Sequence, residues 1–357
     1  MLKVAGMTAG ATDPSSRFRI RQYAAPLAER QIALREHCPF VNQRLPLPGH
    51  FNALPRRYLP PWAVVQMGLN IAARTPGFLG ARRADLVWIS RSVLPGLERA
   101  VDLLPRPRVL DVDDAIWLAG HRGERTAARL ARQVDAVVAG NETIAAWYRP
   151  HAKRVTVVPT PVDTALYRPA AALAGPAAEA QTLTIGWIGT DGNHPNLAIA
   201  KPAVKALLAD RPETRFLVVS NRRPAGWAFD DRRLIFRPWA ESRELADLQA
   251  MDIGLMPLQD TPWSRGKCSY KLLQYLAVGI PAVASPVGMN RDVLTSGDVG
   301  MAADSAGDWY AALDRLCADA ALRRHMGRKG RHLVEQAYST ERCADRLATL
   351  FHDLADG

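Results

Sequence analysis

The sequence predicts an α/β protein of two doubly wound parallel-sheet domains facing each other across a cleft. Three observations carry that expectation. Short apolar runs alternate with helix-period stretches of about ten residues, the pattern of parallel strands joined by crossover helices. The alternation runs through once, breaks at an Ala/Pro/Gly-rich stretch and starts again. A chain of 357 residues is also too long for one ordinary domain and comfortable for two.

In the first half, Leu2–Gly6 reads as a buried strand. A Ser/Thr/Asp/Pro-rich stretch, Thr8 to Ser16, follows, with Ser15 or Ser16 placed to cap a helix over Arg17–Glu29. Asp85–Ser90, Val109–Val112, Val134–Ala139 and Val155–Val158 read as further strands, with helices near 61–75, 123–132 and 141–149. Residues 1–167 make the first domain, and the low-complexity stretch Arg168–Ala180 reads as the linker. The second domain, 181–338, repeats the pattern. Its strands are Leu183–Ile188, Arg215–Ser220, Leu234–Arg237, Asp252–Met256, Ala282–Ala284 and Val299–Ala302. Helices fall near 195–209, 241–250, 269–278, 306–318 and 320–336. An amphipathic helix within 339–357 closes the chain and is expected to pack back on the first domain.

Composition narrows the function. The net charge of +11 is concentrated in one half: residues 1–170 carry 24 Lys+Arg against 13 Asp+Glu, and residues 171–357 carry 22 against 22. No basic helix or aromatic–basic sheet motif accompanies that charge, so nucleic acid is not the expected partner. A basic first domain fits an anionic membrane face or an acidic acceptor, and equally a general use of Arg for Lys. The run Arg56-Arg57-Tyr58-Leu59-Pro60-Pro61-Trp62 mixes the residue types of a membrane-resting segment. No run approaches the ~20 apolar residues of a membrane span, and the opening Met1-Leu2-Lys3-Val4 has no signal-peptide pattern. Cys38, Cys268, Cys317 and Cys343 form no CxxC pair, which argues against disulfides or a zinc site. The expected location is cytoplasmic, with a peripheral place on the inner face of the plasma membrane as a further reading.

The most informative run is Trp263–Leu294, WSRGKCSYKLLQYLAVGIPAVASPVGMNRDVL. It reads as a glycine-containing loop, a helix from Ser269, a stop at Gly279, a buried strand behind Pro281 and a Val287-Gly288 turn into another helix. Gly266 permits close backbone approach, and a helix start beside Lys267 and Lys271 reads either as a seat for a diphosphate or as a solvated loop with ordinary helix-surface lysines.

This run resembles the donor-binding signature of the family 4 glycosyltransferases, retaining enzymes of the GT-B type with two Rossmann-like domains. Further segments echo the family in order: Ala136–Asn141, Val155–Asp163 with Pro169, Ile185–Thr190, Asp252–Leu258 ahead of Trp263, Leu322–Gly330, and Tyr338-Ser339. The resemblance implies a nucleotide-diphosphate sugar as donor, UDP or GDP foremost, no cofactor and no metal. It places Gly189, Thr190, Asn193, Gly266, Cys268, Ser269, Tyr270, Gln274, Gly288 and Asn290 around the donor, with Lys267 and Lys271 stabilising the departing diphosphate. The family's usual pair of glutamates eight positions apart is replaced here by Gly266 and Gln274. The amide of Gln274 can still hydrogen-bond a ribose hydroxyl, without charge.

In the first domain, Ser15–Tyr23 occupies the loop that in relatives meets the acceptor. Arg17 is the choice for an acidic acceptor group, while Arg19 and Arg21 are expected to face solvent. Asp111, Asp113 and Asp114 cluster at a strand's carboxyl end, where carboxylates must be exposed, paired or ligating. A Mg²⁺ site is one reading and a helix cap another. The resemblance instead gives Asp111 and Asp113 to acceptor binding, and Asp113 or Asp114 to orienting the acceptor hydroxyl. The expected activity is transfer of a sugar with retention to a glycan, lipid-linked or small-molecule acceptor. An epimerase of the same fold, or a non-catalytic nucleotide-binding scaffold, is the alternative. A dehydrogenase is disfavoured because no GxGxxG follows either opening strand.

Overall fold

The computed structural model describes residues 1–11, 13–39, 59–91, 98–170, 182–227 and 232–357, with backbone alone for 59–66. Apolar strands that need both faces covered sort into two six-stranded parallel sheets among the described residues. The chain forms two units, Met1–Thr160 with Cys343–Gly357, and Pro161–Arg342.

The first unit comprises β1 (Leu2–Met7), α1 (Ala24–Glu29), β2 (Ile32–His37), α2 (Leu59–Ala81), β3 (Leu86–Ser90), β4 (Arg108–Val112), α3 (Gly123–Gln133), β5 (Ala136–Ala139), α4 (Glu142–Tyr148) and β6 (Val155–Val157). Its strand order is β2-β1-β3-β4-β5-β6. Strand β2 has no counterpart in the sequence reading. Lying at the sheet edge, it buries little beyond Ile32, and its polar Arg35-Glu36-His37 end hides the strand pattern. The helix expected over Arg17–Glu29 is broken into a π turn at Ser16–Ile20, a 3₁₀ turn at Arg21–Tyr23 and α1. Neither serine caps it. The Ser16 amide donates to the Asp13 carboxylate, and the Ser15 hydroxyl is spent on Asp113. The predicted helix 61–75 runs on through Pro76 to Ala81.

The second unit comprises β7 (Leu183–Ile188), α5 (His194–Asp210), β8 (Thr214–Ser220), β9 (Leu234–Pro238), α6 (Glu244–Gln249), β10 (Ile253–Met256), α7 (Pro262–Arg265), α8 (Tyr270–Ala277), β11 (Ala282–Ala284), α9 (Met289–Thr295), β12 (Gly300–Ala302), α10 (Ala306–Ala318) and α11 (Ala320–Leu333). Trp187, Phe216, Leu255, Trp309 and Leu313 are among its core. The last helix, α12 (Thr340–Asp356), belongs to the first unit from Cys343 onward. It adds Cys343, Leu347 and Phe351 to that unit's core, with the Phe351 ring edge-on to Trp88 at 5.3 Å.

The passage between units falls at Thr160–Pro161, earlier than the Ala/Pro-rich stretch. The Tyr167 hydroxyl already donates to Glu244 of the second unit. Residues 171–180 of the predicted linker lie outside the described residues, as do the side chains of the Arg56-to-Trp62 run. Among the described residues no helix is long and apolar enough to cross a membrane.

The second sheet runs β12-β11-β10-β7-β8-β9, so the unit's first strand lies in the middle and the winding reverses between β7 and β10. Ligands bind such sheets at the carboxyl ends of the strands flanking that reversal. Here β7 and β10 pair only at Ile185↔Ile253 and Gly186↔Gly254. Beyond that point a side chain replaces the ladder. Tyr275 of α8, fully buried, accepts from the Ile188 amide at 3.1 Å and donates to the Leu255 carbonyl at 3.2 Å. Its ring lies over Gly254, where an added Cβ would fall 2.3 Å from the ring. Tyr275→Phe leaves a buried N–H and C=O without partners and should cost about 1–3 kcal/mol. Urea denaturation of the variant measures this as a lowered midpoint at unchanged m.

Candidate functional site

Three segments of the second unit meet at the β7/β10 reversal. The loop after β7 supplies Gly189 to Asn193. The stretch between α7 and α8 supplies Gly266 to Tyr270, and the turn after β11 supplies Gly288. Tyr275 fixes α8 against the strand ends, and one turn back Lys271 lies on the same helix face. The Lys271 Nζ rests 5.0 Å from the centroid of the Trp187 ring. A Cβ on Gly189 would stand 2.6 Å from that nitrogen and 2.8 Å from the Trp187 ring, so only glycine leaves the ammonium its place. Burial pushes the Lys271 ammonium down to about 7, and repulsion from Lys267 adds to the shift. Among the described residues no carboxylate forms an ion pair with Lys271.

Lys267 is half-buried and donates to Asn193 Oδ1 at 3.4 Å, joining the two loops. Ser269 departs from the expected cap. Its backbone is left-handed, at φ 51°, and its side chain makes no capping bond. The Ser269 hydroxyl is buried without a hydrogen-bond partner. The first amides of α8 thus receive no capping bond from Ser269, the residue placed to close the helix start. Gly288, at φ 52°, allows its turn to press on the backbone of Arg265, where a Cβ would fall 2.5 Å from the carbonyl oxygen. Thr190 is exposed beside this group, and Cys268 is buried under it.

Two of the expected donor contacts have other work. Asn290 is fully buried, and its Nδ2 donates to the Met256 and Ser285 carbonyls, tying β10 to the end of β11. Gln274 is buried, and its Nε2 donates to Glu244 Oε1, which also accepts from Tyr167. Sequence reasoning missed Glu244 because it lies thirty positions from Gln274. It also missed His194 at the start of α5. The His194 ring stands 5.8 Å from Trp187, and its Nε2 is 3.0 Å from the Ser220 hydroxyl. Burial lowers the His194 pKa, Asp191 opposes the shift, and Lys271 reinforces it.

In the first unit, the acidic run at the end of β4 is answered by arginines. Asp111 is buried and accepts bidentately from Arg19, at 2.8 and 3.0 Å, and from Trp88 Nε1. Arg19 also donates to the Val158 carbonyl. The expectation that Arg19 faces solvent is therefore wrong: it is 1% exposed, a buried counter-ion for Asp111. Asp111 itself is an internal anchor, with both carboxylate oxygens engaged and no surface for an acceptor. Arg21 is not free either, since it pairs with Glu36. Asp113 and Asp114 lie nearer the surface and share Arg91, at 2.7 and 2.6 Å. Burial raises the Asp113 pKa, but Arg91 outweighs it and the net shift is down. Arg91 follows β3 with a left-handed backbone, φ 56°, a costly conformation that its two carboxylates hold in place. Arg17 is half-buried, its guanidinium 4.7 Å from the Phe18 ring centroid.

Arg19 takes both oxygens of Asp111, Arg91 takes one oxygen each of Asp113 and Asp114, and Ser15 takes the second of Asp113; among the described residues no group of three such side chains is placed to hold a cation. Chemically, the second unit offers two ammonium groups, a Ser269 hydroxyl without a hydrogen-bond partner among the described residues, and a helix start that Ser269 does not cap, a set that fits a diphosphate.

Comparison with known proteins bears on the fold that carries these residues. Residues 182–319 match the family model described as Glycosyl transferases group 1. No curated protein matches the chain by sequence. Among solved structures, sucrose-phosphate synthase from Thermosynechococcus elongatus superposes with a TM-score of 0.70 at 15% identity, over 99% of both chains. Anabaena HepE in complex with UDP-glucose gives 0.67 at 13%, over 99% of this chain and 100% of its own. An E. coli structure titled trehalose-6-phosphate, bound with UDP-2-fluoro glucose, gives 0.67 at 14%, over 99% of each. The chain has the two-domain GT-B fold seen in these glycosyltransferases, and residues 182–319 of its second unit match the group 1 glycosyltransferase model.

Proposed function

We propose that this protein transfers a sugar from a nucleotide-diphosphate sugar to a glycan, lipid-linked or small-molecule acceptor, with retention and without a metal. UDP and GDP are the foremost donors. The observation that carries the reading is Lys271. A half-buried ammonium is costly unless something answers its charge, and among the described residues this one has an aromatic face, a second lysine and His194 near it and no carboxylate in an ion pair. A diphosphate at the start of α8 supplies the missing anion. Lys267 and Lys271 then stabilise the charge that grows on the leaving phosphate, where preorganised cations lower the barrier most.

Gly189, Thr190, Asn193, Gly266, Ser269 and Gly288 form the polar surround of the diphosphate, with Cys268 and Tyr270 beneath. In the first unit, Arg17 meets an acidic acceptor group, and Asp113 with Asp114 orients the acceptor hydroxyl from the rigid Arg91 pair. A peripheral membrane contact through the basic first unit would serve a lipid-linked acceptor, and a cytoplasmic protein would reach it from the inner face. A non-catalytic nucleotide-binding role is the second reading, favoured by Gly266 and Gln274 standing where relatives carry glutamates.

Thermal-shift measurements against UDP, GDP, ADP and TDP, with and without Mg²⁺, separate these ideas. Stabilisation by one diphosphate is expected regardless of metal, and Lys267→Ala should weaken it about tenfold or more, as expected for loss of a charge-assisted contact. No shift with any nucleotide would sink the diphosphate assignment. Stabilisation without sugar transfer to any acceptor would favour the non-catalytic role.

The lowered Lys271 pKa makes a second expectation with a definite sign. Only the protonated amine attracts the diphosphate, and the free protein loses that proton as pH rises through about 7. Affinity should therefore fall with rising pH above that point, by up to about tenfold per unit, until the bound-state pKa is reached. Lys271→Met should bind weakly with that slope removed. A wild-type affinity that is flat from neutral pH upward would contradict the role given to this amine.

A further inference from the structure

The first unit carries a cavity of about 830 Å³ between the short 3₁₀ helix Glu98–Leu103 and α3. Five arginines line it: Arg99, Arg122, Arg125, Arg129 and Arg132. The last four are spaced three, four and three residues apart, which brings them onto one face at and along α3. The opposite face, Ala127, Ala128, Leu130 and Ala131, is buried. All five arginines are exposed, and among the described residues none forms an ion pair. The contrast within the unit is sharp, because Arg19, Arg21, Arg30, Arg91, Arg108, Arg149 and Arg154 all hold carboxylates.

Among the described residues the acids lining the cavity are Glu98 and Asp102. Asp102 is already engaged by Arg108 and Gln133. Like charges three and four apart on a helix destabilise it, and arginine cannot relieve the strain by losing its proton. A concave stripe of this kind is electrostatically unfinished, and the focused positive field of such a cavity concentrates anions.

We propose that this groove binds a cluster of phosphate groups, carried by a soluble polyphosphorylated compound or by anionic lipid headgroups. The guanidinium fork matches phosphate oxygens two at a time, and the groove has room for several phosphates. The proposal stands apart from the diphosphate site of the second unit, since no residue is shared.

Titration calorimetry of the full chain with sodium tripolyphosphate tests it, using wild type, Lys267→Ala and the triple variant Arg125→Gln/Arg129→Gln/Arg132→Gln. The triple variant should bind about tenfold or more weakly, while Lys267→Ala keeps the wild-type affinity at this groove. Its melting temperature should be unchanged or higher, because repulsion along α3 is relieved. Should the triple variant fail to melt cooperatively, Arg129→Gln alone should still weaken binding by about threefold. Cosedimentation with vesicles of phosphatidylcholine alone, or mixed with phosphatidylglycerol, identifies the source. Arginine-dependent binding to the mixed vesicles without tripolyphosphate binding assigns the groove to lipid headgroups, and the reverse assigns it to a soluble compound. Equal binding by wild type and triple variant, or binding of neither probe, overturns the proposal.

Discussion

The hydroxyl of Tyr275 sits where two neighbouring strands stop being a sheet. Donating to one strand end and accepting from the other, it satisfies the backbone groups that the parting of β7 and β10 would leave orphaned. The sheet can then open at its reversal point without a buried penalty. The same contact sets the rotation of α8, and with it the direction of Lys271, one turn nearer the helix start. Glycines at 254 and 189 are the complement of that choice. The first makes room for the tyrosine ring, and the second makes room for the lysine amine.

Charge is handled in opposite ways at the two strand edges. At the end of β4, three aspartates are met by Arg19 and Arg91, with Ser15 donating to Asp113, so that edge is balanced from within the chain. Removing either partner of a buried pair such as Arg19–Asp111 strands the other, which makes it a framework for the loop after β1 and no reserve of reactivity. At the end of β7, two lysines approach one another with Asn193 and Trp187 as neighbours. The first edge sets two guanidinium groups against three carboxylates; at the second, Lys271 has no carboxylate in an ion pair among the described residues.

Strand order and the two-unit division were legible because they rest on apolar periodicity, which is local. Eleven of the strands lie where that pattern puts them, and β2 escaped because an edge strand buries too little to show it. The loop between α7 and α8 could be singled out because its glycine, lysines and helix start are contiguous in the chain. What could not be read were pairings between distant segments. Arg19 was placed in solvent because helical spacing separates it from Arg17, and nothing local points to Asp111, 92 positions away. Gln274 was read as a ribose contact for the same reason, since its partner Glu244 is thirty positions back in the chain.

That last pair bears on the missing glutamates. Where the family resemblance leads one to expect a glutamate at position 274, Glu244 presents a carboxylate to the Gln274 amide, and Tyr167 helps to hold it. An amide that donates to a carboxylate has its carbonyl oxygen left to accept, and it transmits no net charge of its own. The unit thus has an acid in this layer on the start of α6, where the helix dipole favours a negative side chain. At position 266 no such replacement exists within the loop, because glycine contributes only backbone. The two departures are therefore unequal in physical terms. One has a carboxylate against its amide, and the other provides no side chain beside Lys267, leaving the lysines and the start of α8 as the remaining polar equipment of that loop.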